Sequence, residues 1–502
     1  MDVTRRGFLV SGLVGGVGAA ALLSGAASRR SVVSGPAGED GGGYVTLPGV
    51  RRPELKARRL GSTASGLLFL APFRGTDAAD AMIVDDGGEP LWIYRSDRLV
   101  TDVRVQTYRG EPVLTYWEGD RKTGGHGEGV GVVLGRDYTR VAEVRAGDGV
   151  SGDLHEFALT GRGTALIIAY PEVVADMRPV GGPRRGRVLD GRVQEIDITT
   201  GRVLLDWSAL EHLGIEETRT PVTKNADGTK GKAFDPIHLN SVQDDGDTLL
   251  LSARNTCALY SLDRRTGAVR WRLGGTRSDF TFGAHAEFAW QHDARRSQDG
   301  TLTLFDNHID AVGDGPSRGL VLDVDEAARH VSLVREFSDG ATYGQFMGNV
   351  QMLPDGSALV GWGSTPSITE FAADGTPVLE ITGIGDGSYR AYRAPWSGRP
   401  AARPVVAVTP VGPDWMRVHA SWNGATGVAG WRFLTGSVPS RLAVARTARR
   451  AGFETAVTVR RAPHVVAEAL TRDGTPLARS AFAAGGLLPG DVGPPQRTAP
   501  VV

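Results

Sequence analysis

The stretch Gly246–Leu273, "GDTLLLSARNTCALYSLDRRTGAVRWRL", decides the fold class. An apolar run, Leu249-Leu250-Leu251, comes first, followed by two alternating segments on either side of Asp263-Arg264-Arg265-Thr266-Gly267. Asp-x-x-Thr-Gly between alternating segments marks a hairpin, because glycine accepts the positive φ that the turn demands. One run plus one hairpin is therefore the module to look for elsewhere.

It recurs along the chain, and such repeats fix an architecture before any single element does. Six apolar runs are present: "SGLLFLAP", "EPVLTYWEG", "GTALIIAY", "GDTLLLSAR", "GTLTLFDN" and "GSALVGWG". Each is followed by strand, turn and strand, as in "AMIVDDGGEPLWIY" or "QEIDITTGRVLLDW". The interval has room for four short strands with their loops. Six such units, none able to bury both its faces alone, are expected to stack radially as an all-β, six-bladed β-propeller over residues 44–397. One hairpin would suit any β-sandwich, and a stack of αβ units would need helical patterns that are missing between the runs.

Two segments depart from the rhythm. Glu211–Pro236, "EHLGIEETRTPVTKNADGTKGKAFDP", is long, charged and punctuated by Gly and Pro, which suits either a lid at a mouth or a solvated excursion. After "SYRAYRAPWSGRP" the repeat ends, and residues 401–482 carry alternating strands at sandwich spacing, like a fibronectin-III-type module. The Gly- and Pro-rich residues 483–502 are expected to be a disordered tail.

Charge is nearly balanced, with 56 basic and 57 acidic residues, so nucleic acid is not an expected partner. The 69 glycines are about twice the usual ~7% share, as many tight turns require. Cys257 is the only cysteine, which excludes an internal disulfide. At the start, Arg5-Arg6, Phe8-Leu9 and a Gly/Ala-rich apolar stretch resemble a twin-arginine signal, with Ser24-Gly25-Ala26 as the cleavage site. Residues 1–27 are read as that signal and 28–43 as a flexible linker. The chain is then expected to be secreted or held at the cell surface, the latter if the signal is retained as an anchor.

Three histidines share one phase of the repeat. His155, His238 and His292 each precede by eight residues the glycine that begins an apolar run (Gly163, Gly246 and Gly300). In a propeller the first strand of each blade lines the central channel, so the three are expected to converge at one mouth. Asn240 projects to the same side as His238, and Arg254, Asn307 and Arg318 end or open neighbouring strands. Arginine with histidine suits a tetrahedral oxyanion such as a sulfate ester, and histidine can serve as base, acid or nucleophile. The chain has no H-x-H or H-E-x-x-H pair, no phosphate loop and no G-x-S-x-G elbow, so no metal and no cofactor are expected.

These motifs, "YRGEPVLTYWEGD", "GHGEGV", "GDLHEFALTGRGTALI", "DPIHLNSVQDDGDTLLLSARNTCALYSLDRRTGAVRWRLGG", "FAWQHDARR", "LFDNH", "SRGLVL" and "GNVQMLPDGSALVGWG", resemble the arylsulfotransferase family in order and spacing over about residues 46–397. The likeness is to its exported, actinobacterial-type branch. It implies a six-bladed propeller and transfer of a sulfuryl group from a phenolic sulfate ester to another phenol, without a nucleotide donor, through a sulfated histidine. On this likeness His238 in "IHLNS" and His292 in "WQHDA" match catalytic histidines, and Arg318 in "SRG" a sulfate-binding arginine. His292 is expected as nucleophile or sulfuryl contact, and His238 as base on the phenol. Arg254 would hold sulfuryl oxygens, with His155, Asn240 and Asn307 completing the polar shell. Where the family places its acceptor histidine this chain has Gln351, which cannot form a sulfated intermediate. Two other readings stay open: a quinoprotein of the pyrroloquinoline-quinone type, since "LDRRTGAVRW" also resembles its repeat, and a non-catalytic propeller that binds a glycan or protein. The C-terminal module suits attachment to a cell-wall or surface polymer.

Overall fold

The computed structural model describes residues 42–75, 78–223, 228–229, 231–308 and 315–484. The signal, almost all of the linker and all but two residues of the expected tail lie outside these. The described chain is nearly all β. Among the described residues no helix is long and apolar enough to cross a membrane.

Residues 67–394 form six antiparallel four-strand units, numbered I to VI in chain order. In units II to VI the expected apolar run is the second strand and the expected hairpin supplies the third and fourth. Unit IV shows the pattern: Leu239–Asp245, Thr248–Ala253, Ala258–Asp263 and Val269–Gly274 pair in sequence order. Thr266 and Gly267 turn its hairpin, and both the Thr266 amide and hydroxyl donate to Asp263 Oδ1 at 2.9 Å. Such a side-chain cap fixes the turn locally, without help from the core. Leu249, Leu251 and Tyr260 of this unit pack with Leu166, Ile168 and Val193 of unit III, so neighbouring units share one core.

Unit I is assembled from both ends of the repeat region. Ser388–Ala394 pairs with Leu67–Arg74, which continues through Ala78–Val84 to Pro90–Arg95. The "SYRAYRA" segment, after which the apolar repeat ends in the sequence, is thus the first strand of unit I. Each remaining unit begins with its own first strand: Leu99–Tyr108, Gly152–Leu159, Leu239–Asp245, His292–Arg296 and Asn349–Met352. Each first strand touches the next, and Asn349–Met352 touches Ser388–Ala394, which in turn touches Leu99–Tyr108.

Beyond residue 400, Val405–Val411, Trp415–Ser421 and Thr455–Arg460 form one sheet. Gly430–Gly436, Ala443–Arg449, His464–Leu470, Pro476–Arg479 and Ala483–Ala484 form a second. Met416 and Val418 from the first meet Trp431, Phe433 and Val465 from the second in one core. Polar links tie this pair of sheets to unit I and to the N-terminal segment: Asn423 exchanges two hydrogen bonds with the Ile93 backbone, at 2.9 and 2.8 Å, and Thr46 donates to Glu454 through both amide and hydroxyl.

Candidate functional site

The six first strands run side by side, and chemistry collects at their starts. His155 lies in Gly152–Leu159, His238 immediately precedes Leu239–Asp245, His292 opens His292–Arg296 and Tyr389 lies in Ser388–Ala394. The His155 and His238 ring centroids are 4.8 Å apart, edge to face. His292 stands one ring further on, 5.1 Å from Tyr389, while Tyr389 is 5.9 Å from His155.

A fourth histidine completes the group. His126 is 5.1 Å from His238 and 5.7 Å from His155, with Tyr170 4.2 Å away on another side. It comes from the hairpin between Glu111–Arg121 and Gly127–Leu134 of unit II. That hairpin lies against Trp117 so closely that a Cβ on Gly127 would sit 2.6 Å from the indole. Glycine there is what lets the hairpin bring His126 over the first strands.

Two buried carboxylates order these rings. Asp153 accepts from His155 Nδ1, from the His155 amide at 3.0 Å and from the Gly127 amide at 2.6 Å. Asp235 pairs with His238 Nδ1 at 2.5 Å and with His126 Nε2 at 3.1 Å, and accepts from the His238 amide at 3.0 Å. The backbone around Asp235 is fixed in turn, since Asn255 Nδ2 donates to its carbonyl at 2.8 Å and its neighbour Phe234 is buried, its amide donating to Arg187 and its carbonyl accepting from Leu189 of the short strand Gly186–Leu189. His238 has φ of 55°, an unusual value for a residue with a Cβ, and the Asp235 and Arg254 contacts to its backbone hold it there.

The electrostatics follow from burial and pairing. Burial lowers His238 to about 4 despite the Asp235 carboxylate, so its imidazole is neutral near pH 7. Burial also takes His292 well below its ordinary value, helped by the Arg390 charge, and its Nδ1–H donates to the Gly348 carbonyl at 2.6 Å. Burial would raise Asp153 and Asp235, but the histidines beside them hold both carboxyls below the usual range. For His126 burial is outweighed by Asp235 and Asp153, and the ring is shifted upward.

A cavity of about 730 Å³ opens onto this cluster, with His126, Tyr170, Asp235, His238, Arg254 and Asn255 in its wall. Arg254 stacks on Trp290 at 5.1 Å and reaches Asn255 Oδ1 at 3.3 Å, and it forms no ion pair among the described residues. Its buried Nε has no hydrogen-bond partner. A guanidinium held this way is available to an anion in the cavity. Two sets of groups have ligand atoms within 4.8 Å of one another, near enough that they could share one ion: His126, Asp235 and His238, and His126, Asp153 and His155.

Arg318, Asn240, Asn307 and Gln351 lie outside the wall of this cavity. Arg318 is occupied by Asp306 and Glu336, each at 3.0 Å, and by the carbonyls of His285 and Glu287. Asn240 bridges to the Gln291 carbonyl at 2.8 Å and the Asp293 amide at 3.3 Å. Asn307 donates to the carbonyls of Gly344 and Met347. Gln351 exchanges hydrogen bonds with the Arg393 backbone and faces a second cavity, of about 1240 Å³, at the opposite ends of the first strands.

Between the two cavities lies a buried ionic network. Arg390 meets Asp102 at 2.9 Å, Asp293 at 3.1 Å and Glu156 at 3.4 Å. Arg104 meets Glu156 at 2.5 Å and Asp102 at 3.1 Å, and Arg295 meets Glu156 at 2.5 Å and Asp293 at 2.6 Å. Three guanidinium and three carboxylate groups balance in charge.

Sequence reasoning missed His126, Tyr170, Asp153 and Asp235. Both carboxylates were adjacent in plain view, two residues before His155 and three before His238. His126 stood in the motif "GHGEGV", outside the phase of the repeat.

A nearly all-β chain that gathers histidines and carboxylates at the starts of adjoining first strands is the class of protein these features define. The sequence profile of the arylsulfotransferase (ASST) family matches residues 104–383, more than half of the 502-residue chain, and the chain belongs to that family. No curated protein matches it. Among solved structures it is similar to a protein of unknown function from Bacteroides caccae (12% identity, TM-score 0.40, covering 65% of this chain and 98% of that one). It is also similar to a quinohemoprotein alcohol dehydrogenase from Comamonas testosteroni (10%, 0.33, 81% and 76%) and to a protein of unknown function from Dyadobacter fermentans (11%, 0.33, 83% and 100%). Likeness at this level carries no reading of the site.

Proposed function

We propose that this chain is a six-bladed β-propeller enzyme that moves a sulfuryl group from an aryl sulfate ester to a phenolic acceptor. Family membership supports the substrate class, and the cycle of contacts among six first strands supports the propeller. The observation that carries the reaction is the Asp235–His238 pair facing the same cavity as Arg254.

Asp235 holds the His238 Nδ1 proton, which leaves the Nε2 lone pair free, the arrangement that activates an imidazole. In the proposed reaction Nε2 attacks sulfur, the S–O bond to the donor phenol breaks and the phenolate leaves. The acceptor phenol then attacks the same sulfur, the N–S bond breaks, and the acceptor's proton passes to solvent. Arg254 holds the sulfuryl oxygens in both steps. His238 thereby takes the part that Gln351 cannot. His292, behind Tyr389, positions that ring rather than the substrate. Export by the twin-arginine route, and attachment to a surface polymer through a fibronectin-III-like C-terminal module, belong to the same proposal.

The test is phenol-dependent release of 4-nitrophenol from its sulfate ester, with mass spectrometry of the quenched enzyme. Turnover and a sulfated His238 peptide are expected, both lost in His238→Ala. Full turnover in that variant would remove His238 from the reaction. No turnover with any phenol in the wild-type chain would favour a binding propeller instead.

A further inference from the structure

Sulfuryl transfer as proposed uses His238, Asp235 and Arg254. The buried groups His126, Asp153 and His155 of the same cluster play no part in it. We infer that these three form a binding site for one divalent first-row transition-metal ion, of the zinc, cobalt or nickel class.

The argument begins with an orphaned atom. His126 is 5% exposed, and its Nδ1 is buried with no hydrogen-bond partner. Its other nitrogen, Nε2, is taken by Asp235 at 3.1 Å. Asp235 can only accept from that nitrogen, so in the neutral ring the proton sits on Nε2 and the lone pair on Nδ1. A carboxylate behind a histidine is the arrangement that fixes the tautomer and orientation of a metal-bound ring. The lone pair faces Asp153 Oδ2, 3.8 Å away. That gap is too long for a hydrogen bond. It is close to the separation of two ligands on one ion, since ligands at ~2.1 Å stand ~3.4 Å apart at a tetrahedral angle.

His155 donates its Nδ1–H to Asp153, which leaves Nε2 as its ligand atom. One ligand atom each from His126, Asp153 and His155 lie within 4.8 Å of one another, and all three residues are buried. The Gly127 amide donates to Asp153 Oδ2 at 2.6 Å and orients the carboxylate from behind. Charge points the same way, because Asp153 and Asp235 bring two carboxylates into a buried cluster that a divalent cation would neutralise. Two imidazoles with one carboxylate favour a borderline transition metal over magnesium or calcium, which prefer all-oxygen shells. Three protein ligands also leave a coordination position open. The neighbouring set of His126, Asp235 and His238 is the weaker one, because Asp235 already pairs with both of its rings, whereas Asp153 pairs with the His155 ring alone and leaves His126 Nδ1 without a hydrogen-bond partner.

The site is independent of the sulfuryl reading and is tested without it. The untagged chain is stripped with a chelator, dialysed against Zn²⁺ or Co²⁺ and analysed for metal content, with the visible spectrum of the Co²⁺ form as the readout of coordination. One ion per chain is expected, with absorption bands of low-coordinate cobalt. Binding should be lost in His126→Ala and Asp153→Asn and kept in His238→Ala. Should His126→Ala fail to fold by circular dichroism, His126→Leu makes the same comparison with the ring volume partly filled. A wild-type chain that retains no stoichiometric metal overturns the site, and so does binding unchanged in both His126 and Asp153 variants. Loss in His238→Ala with retention in His155→Ala would overturn this ligand set. Turnover of the aryl sulfate is read separately, so either proposal can fail alone.

Discussion

His238 combines two features that rarely meet in one residue, a left-handed backbone and a side chain committed to a carboxylate. The backbone strain is held by the groups that orient the ring, so the aim of Nε2 depends on Asp235. Asp235→Asn keeps the shape and presents the wrong partner to Nδ1. Turnover should fall by about 100-fold or more, in line with the usual contribution of an oriented base or nucleophile. An unchanged kcat would show that Asp235 is only a brace. Arg254→Lys keeps the charge but loses the planar fork. It should raise KM for the aryl sulfate and lower kcat/KM by about tenfold or more, measured on the same ester. That His155 and His238 meet could be read from the repeat, because residues at one phase of it fall on adjoining first strands. Asp153 and Asp235 were also local to them, and a rule asking which acid precedes each histidine would have found both. Tyr170 could not be found this way, since it ends an apolar run and reads as core.

The elements divide in the same manner. Second, third and fourth strands were legible because apolar runs and turns bearing Gly or Asp encode them locally. First strands were not, because their side chains answer to other first strands. "SYRAYRA" has no apolar run, and only its pairing with Leu67–Arg74 makes it a strand of unit I. The hairpin carrying His126 is a similar case, placed by its glycines against Trp117 and not by any strand pattern. Gly127→Ala would force a methyl group to within 2.6 Å of that indole. We expect a loss of about 1–3 kcal/mol in urea unfolding, the usual cost of overpacking, together with weakened metal retention as His126 is pushed aside. Wild-type stability in that variant would mean the hairpin yields freely.

At the scale of the whole molecule the ionic network beyond the histidine cluster contributes a pH-dependent part of stability. Burial alone would raise Glu156, but Arg295, Arg390 and Arg104 bring it down to about 2. Its folded value is therefore depressed below the ~4.3 of an unfolded glutamate. The stabilisation it contributes is complete above that unfolded value and is lost as pH falls from ~4.3 toward about 2. Glu156→Gln should cost about 3–5 kcal/mol near neutral pH, as breaking one partner of a buried ion pair does, and should flatten the acid limb of the stability curve. Urea unfolding between pH 3 and 7 checks both, and an acid limb as steep as the wild type's would contradict the assignment. The sequence offers only its local halves, Asp102 with Arg104 and Asp293 with Arg295; Glu156 and Arg390 lie far from both and join them only when the first strands come together.

That network also makes the passage between first strands a blind alley. Arg390, Asp102, Glu156 and Asp293 are all at most 2% exposed, so nothing that enters beside His238 can leave by the far side. In the proposed reaction the spent phenol backs out through the doorway the next one needs. One entrance shared by two visitors imposes turn-taking, and added product should therefore compete with the incoming phenol for the same seat.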